Sequence, residues 1–171
     1  MDKINITLAF VILIYFLLAV LIYSKGQNRR VAYSYLAVIF AVIFWTLGMI
    51  LYRFSSAESS LFWCRVLYAA ATFTASSFFF FSYVFPSGKL PSWKKISLAI
   101  VLNLLIVILV LTPDIIIRGV NLRIGQEKEI IWGKWYFLYV LYISGLFSSG
   151  LTVLLNKYLN GEEMSVDELK A

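Results

Sequence analysis

Few residues in this chain have side chains that could carry out chemistry. The sequence contains no histidine, which excludes imidazole acid–base catalysis, histidine-ligated metals and a phospho-accepting histidine. The single cysteine, Cys64, can form neither an intrachain disulfide nor a thiolate cluster, and is expected to be a small apolar filler. No glycine-rich phosphate loop, nucleophile elbow, paired carboxylates or metal-ligand spacing occurs. The sequence therefore predicts neither an enzyme nor a cofactor.

Two polar residues lie inside apolar sequence and are the first candidates for a functional role. Arg65 lies about one turn from the expected start of a helix, where its stem can reach the lipid headgroups. Snorkelling or a structural pair is one interpretation, and anion sensing or gating is the other. Asn103 lies in the middle of an apolar stretch. It is expected to hydrogen-bond a neighbouring helix, with a functional role as the alternative.

Three further residues are candidates because of where they stand in the sequence. Pro86 begins a stretch that cannot continue a helix, since proline lacks an N–H and disfavours the α region at the residue before it. Trp63 lies near the expected end of a span, as an interfacial anchor should, whereas Trp45 lies deeper. For each of the three, a role in packing and a role in function are both open.

Small residues spaced four apart predict close helix contacts. The pairs Ala71/Ala75 and Gly145/Ser149 would let helices approach without a hydrophobic driving force. The alternative is that such residues line a small polar pocket that faces the outer leaflet.

The composition indicates which elements must position these residues. Hydrophobic residues make up 61% and charged residues 14%, and the mean hydropathy is +0.86. Soluble globular chains have roughly 45–50% apolar residues and about 25% charged residues. A soluble protein of 171 residues would need far more polar surface. The net charge of +6 is then explained by loop charges that orient helices in a membrane, and no nucleic-acid partner is expected.

Apolar stretches near the length that crosses about 30 Å of hydrocarbon recur five times. They cover residues 6–23, 31–51, 61–85, 96–111 and 135–155. Because backbone groups in lipid must be satisfied within their own segment, each stretch is predicted to be helical. The first is followed by a basic segment rather than a cleavage site, so it is expected to be retained and not to be a signal peptide. The predicted fold is all-α, a polytopic bundle of five transmembrane helices.

The connections complete this organisation. Residues 112–134 contain two β-rich arms around a glycine-containing turn, which predicts a short extracytoplasmic β-hairpin-like loop. Ser59 or Ser60 is predicted to cap the third helix. Residues 159–171 are polar and acidic. The expected division is a transmembrane domain over residues 1–158 and a cytoplasmic tail over residues 159–171.

Loop charges predict the orientation in the membrane. The N-terminal tail and the second loop contain only Lys3 and Arg53 as basic residues. The first and third loops are strongly basic, and contain Lys25, Arg29, Arg30, Lys89, Lys94 and Lys95. Short loops that carry Lys and Arg stay in the cytoplasm, which places the N-terminus outside and the C-terminus inside a plasma or inner membrane. The basic residues within residues 112–134 run against this assignment.

The order of motifs resembles the N-terminal seven-helix region of bacterial histidine kinases. The similarity lies in residues 41–52 (AVIFWTLGMILY), 61–72 (LFWCRVLYAAAT) and 79–86 (FFFSYVFP). Members of that family have a Trp in helix two, a Trp-x-Arg near the start of helix three and a Phe-x-x-Phe-Pro exit from it. Trp45, Trp63 with Arg65, and the slightly longer spacing from Phe81 to Pro86 correspond to these features.

The resemblance implies a membrane input domain for signalling, in which a cavity or the bilayer biases helix positions. The family has seven spans where five are predicted here, and no phosphorylatable histidine or ATP-binding domain is present. The resemblance therefore implies a truncated gene, a fragment or a stand-alone sensor remnant without catalytic activity. The expected partners are the lipid bilayer, a small-molecule or lipid ligand, and a second copy or a signalling protein. The alternatives are a small channel or facilitator and an accessory subunit of a membrane enzyme.

Overall fold

The computed structural model describes residues 3–121 and 128–160. Its five helices are α1 (Lys3–Lys25), α2 (Arg29–Phe54), α3 (Ala57–Val84), α4 (Trp93–Leu111) and α5 (Tyr136–Leu159). Strands β1 (Ile117–Asn121) and β2 (Glu129–Trp132) lie between α4 and α5. Each helix is long and apolar enough to cross a membrane, which confirms the predicted bundle. Every helix end lies within four residues of the end of its predicted span. The predicted turn of the hairpin and residues 161–171 of the predicted tail lie outside the described residues.

Helix α3 is the centre of the bundle. It packs against α2, α4 and α5 and also contacts β1, whereas α1 packs against α2. Several small residues of α3 are buried, including Ala69, Ala70, Thr72 and Ala75. Small side chains allow neighbouring backbones to come close in lipid, where burial of apolar surface does not drive helices together. The large apolar side chains on the outer faces of the helices remain exposed, as a lipid environment requires.

The hairpin is seated on one end of the bundle. β1 and β2 are antiparallel, with Val120 opposite Ile130 and Asn121 opposite Glu129. Ile116 and Ile117 are fully buried and pack in a cluster that includes Cys64 of α3. The predicted hairpin is thus present, and it is anchored by the core rather than lying loosely at the headgroups.

The beginnings of α2 and α3 differ in how they are capped. The Asn28 side chain accepts hydrogen bonds from the backbone N–H groups of Arg30 and Val31, at 3.1 and 3.4 Å. Helix α3 begins at Ala57, with Ser56 at the capping position. The prediction that Ser59 or Ser60 caps α3 is therefore wrong, because the helix begins a turn earlier than the apolar run.

Close approach of α5 to α3 occurs at Gly150, which is buried against Phe78. A Cβ atom added at Gly145 would have nothing within 4 Å, and Ser149 is exposed. The prediction that Gly145 and Ser149 mediate helix contact is therefore wrong for the described part of the chain. Four-residue spacing identifies residues that share a helix face, but it does not show which face meets a neighbour.

Candidate functional site

A cleft of about 360 Å³ lies between α2, α3 and α5, in the half of the bundle nearest the hairpin. Its walls are mostly apolar, with an indole, two phenols and a threonine among them. The main lining residues are Trp45, Met49, Tyr68, Thr74, Tyr139 and Phe147. Such a cavity, apolar with a few convergent polar groups, is typical of a site for a small ligand.

Helical spacing explains why these residues meet. On α5, Tyr139, Ile143 and Phe147 follow one another at four-residue intervals and so share one face. On α3, Ala71 and Thr74 lie on the corresponding face, and the small side chain of Ala71 leaves space between the helices. The volume of the cleft therefore depends on a small residue at position 71.

An aromatic cluster connects the cleft to the hairpin. The Tyr68 ring lies 5.4 Å from the Tyr139 ring and 5.6 Å from the ring of Trp132 on β2. Trp132 also stacks on Tyr136, with ring centroids 4.0 Å apart. The Tyr139 hydroxyl donates a hydrogen bond to the backbone carbonyl of Tyr68 at 3.1 Å. Tyr68 and Tyr139 therefore belong to both the cluster and the cleft, and they connect the two regions.

A lysine in the hairpin loop, Lys128, forms hydrogen bonds with the end of α2 and the turn that follows it. Lys128 Nζ donates to the carbonyl oxygen of Tyr52, and to the carbonyl and hydroxyl oxygens of Ser55 at 2.7 and 2.8 Å. These carbonyls lie at the negative end of the α2 dipole, which favours a cation. Burial, together with the nearby Arg53 guanidinium, lowers the pKa of Lys128 below its ordinary value.

The opposite end of the bundle contains a comparable cap. Lys157 Nζ of α5 donates to the carbonyl oxygens of Ser82, Tyr83 and Phe85, where α3 ends. The distances to Ser82 and Phe85 are 3.2 and 2.6 Å. One lysine therefore caps the carbonyl groups at the C-terminal end of α2, and another caps those at the C-terminal end of α3.

The five residues singled out from the sequence lie in different places and do not form one site. Trp45 lines the cleft. Arg65 Nη2 donates to the carbonyl oxygen of Ile117 in β1 at 3.3 Å, and the half-buried Trp63 lies edge-on to Phe62. Pro86 lines a separate pocket at the far end of the bundle. Asn103 is buried on α4.

Sequence reasoning missed the residues that connect distant parts of the chain. Tyr68, Tyr139 and Lys128 were not singled out, and neither was Lys157. Lys157 stands in the last turn of α5, a position that suggests interaction with the end of its own helix rather than with that of α3. No local pattern marks Lys128, since its partners lie more than 70 positions earlier in the sequence.

Comparison with known protein families identifies a relationship. A family model described as the N-terminal 7TM region of histidine kinase matches residues 7–167. No curated protein matches the chain, and neither does any solved structure.

Proposed function

Because the chain belongs to the family of N-terminal 7TM regions of histidine kinases, we propose that it is a membrane input domain that senses a small ligand in the cleft between α2, α3 and α5. The observation that supports this site is the sharing of Tyr68 and Tyr139 between the cleft and the aromatic cluster under the hairpin. A ligand that fits one arrangement of these rings better than another shifts the population of helix positions. The domain carries out no catalysis itself, and a kinase core is the partner that receives the change.

The lining of the cleft defines the class of ligand. Its surface is largely aromatic and aliphatic, which suits a small apolar molecule. Few side-chain polar groups line it, and Thr74 Oγ1 already donates to the carbonyl oxygen of Ala70 at 3.3 Å. The proposed ligand is therefore apolar, with at most one or two hydrogen-bonding groups.

The orientation that we propose places the hairpin end outside and the C-terminus in the cytoplasm of a plasma or inner membrane. It rests on the basic residues at the opposite end, such as Lys25, Arg29, Lys94 and Lys95. Green fluorescent protein fused after Ala171 is expected to fluoresce, and alkaline phosphatase fused there is expected to be inactive. Phosphatase activity without fluorescence would reverse the assignment.

Filling the cleft is expected to change signalling output. The full chain is joined at its C-terminus to the dimerisation and ATP-binding domains of a histidine kinase, and autophosphorylation is measured in membrane vesicles. Ala71→Trp places an indole in the cleft, and we expect basal autophosphorylation to change by at least about fivefold, the lower end of the range for coupled sites. The control, Ala9→Trp on the exposed side of α1, should leave output unchanged.

Two results would contradict the proposal. One is equal output from Ala71→Trp, Ala9→Trp and the unaltered fusion. The other is solute flux through liposomes that contain the full chain, since flux would favour the small channel or facilitator.

A further inference from the structure

A further cavity, separate from the cleft and from the pocket at Pro86, runs along the contact between α3 and α4. This groove has a volume of about 400 Å³. One continuous face of α4 lines it, including Lys95, Ala99 and Asn103, and Phe73, Ser77 and Phe80 of α3 form the opposite wall. The groove therefore extends from the end of the bundle at Lys95 to the middle of the membrane at Asn103.

The end of the groove in the middle of α4 contains an amide oxygen without a hydrogen-bond partner among the described residues. Asn103 is 7% exposed, and its Oδ1 atom has no hydrogen-bond partner among residues 3–121 and 128–160. The expected hydrogen bond to a neighbouring helix is therefore not found for this oxygen within the described chain. Burying a polar group without a hydrogen bond is costly, most of all at mid-membrane depth, where water is absent. A group that pairs with this amide would remove that cost.

The mouth of the groove, at the end of the bundle opposite the hairpin, contains a cation. Lys95 is exposed, and its Nζ atom lies 5.3 Å from the centre of the Tyr83 ring. Lys95 and Asn103 are eight positions apart on α4. An α-helix rises 1.5 Å per residue, so roughly 12 Å separates them along the axis, about the length of ten carbons in an extended chain. The groove is thus cationic at its mouth, apolar along its length and polar at its inner end.

We propose that the groove between α3 and α4 binds a single-chain amphiphile whose anionic headgroup lies at Lys95 and whose mid-chain hydroxyl hydrogen-bonds to Asn103. A hydroxyl suits this position because it can both donate to and accept from an amide. The apolar wall between the two ends matches an alkyl chain. This site is independent of the proposed function, since it shares no lining residue with the cleft.

The test compares two ligands that differ by one hydroxyl. Binding of 10-hydroxystearate and of stearate is measured with the full chain in phosphatidylcholine nanodiscs, against empty nanodiscs as the reference for partition into lipid. The unaltered chain is expected to bind 10-hydroxystearate roughly fivefold to tenfold more tightly, which is the effect of one net hydrogen bond.

Three variants test which residues cause the preference for 10-hydroxystearate over stearate. Asn103→Leu should still bind stearate but lose the preference for the hydroxylated acid. It should also be at least as thermally stable as the unaltered chain without ligand, because a buried oxygen that has no hydrogen-bond partner in the described chain is removed. Lys95→Gln should weaken the binding of both acids by a similar factor. Lys94→Gln should not alter the affinity for either acid. Lys94 is an adjacent exposed lysine that does not line the groove.

Several outcomes would overturn the proposal. Equal affinity of the unaltered chain for the two acids would show that Asn103 does not hydrogen-bond to the hydroxyl of the ligand. Retention of the preference in Asn103→Leu would place the hydroxyl elsewhere. Unfolding of Asn103→Leu would show that the amide has a structural role, and equal effects of Lys94→Gln and Lys95→Gln would indicate general attraction to a basic surface.

Discussion

Replacing Gly150 with leucine is expected to separate α5 from α3 and to destabilise the bundle by about 1–3 kcal/mol, the usual range for overpacking a close contact. A Cβ atom at this position would lie 2.9 Å from Cε1 and 3.1 Å from Cδ1 of Phe78, and 3.5 Å from the Cα atom of Phe79. The Phe78 ring also packs against Phe147, with centroids 5.4 Å apart, so moving it aside disturbs a second contact between α3 and α5. Because α5 forms one wall of the cleft, its displacement also widens the cleft.

The matched control for this substitution is Gly145→Leu. Gly145 lies on the same helix, and a Cβ atom there would contact nothing within 4 Å. Leucine at this position should have no destabilising effect, because glycine is itself unfavourable in a helix interior. The measurement is thermal unfolding of both variants in the same detergent, monitored by size-exclusion chromatography after heating. Equal losses in the two variants would mean that the contact between Gly150 and Phe78 does not limit the approach of α5.

Replacing Lys128 with methionine is expected to loosen the hairpin without unfolding the helices. The substitution keeps an unbranched side chain only one atom shorter but removes the ammonium that donates to Tyr52 and Ser55. Hydrogen bonds to charged groups contribute roughly 1.5–3 kcal/mol each, so the loss of this cap should raise hairpin opening by at least about tenfold. Hydrogen–deuterium exchange of β1 and β2 in the full chain measures this opening directly.

Lys134→Met is the control for this prediction, because Lys134 is exposed and follows the same hairpin. Exchange in β1 and β2 should be unchanged in that variant. Arg65 remains attached to Ile117 in both variants, and the buried side chains of Ile116 and Ile117 hold the start of β1. Similar exchange for the two variants would show that Lys128 contributes nothing to the docking of the hairpin.

The helices themselves were predictable from the sequence because lipid offers the backbone no hydrogen bonds. An apolar run of sufficient length must then satisfy its own N–H and C=O groups as a helix, whatever its neighbours are. The same reasoning does not fix the position of a helix end to within one turn, since polar residues such as Glu58 and Ser59 continue a helix into the headgroup region. For this reason α3 begins at Ala57 and not at the start of its apolar run.

The candidate sites were only partly predictable. Trp45 and Asn103 stood out because each is unusual within its apolar stretch, and each lines a cavity. Tyr139 carries no such signal, since the sequence contains 11 tyrosines. Its importance arises from the contact with Tyr68, which lies 71 positions earlier.

By itself, the sequence determined the membrane environment, the number of membrane-spanning helices and the presence of a hairpin. These features follow from hydropathy, from the length of each apolar stretch and from local backbone preference. The tertiary structure alone decided how each helix is rotated about its axis. That rotation selects Gly150 rather than Gly145 for the contact with α3, and places the Lys157 ammonium on the end of α3. The seating of the hairpin on the bundle places the Lys128 ammonium on the end of α2. Such choices depend on shape and on hydrogen bonds between residues far apart in the chain, and periodicity along a single helix contains no information about them.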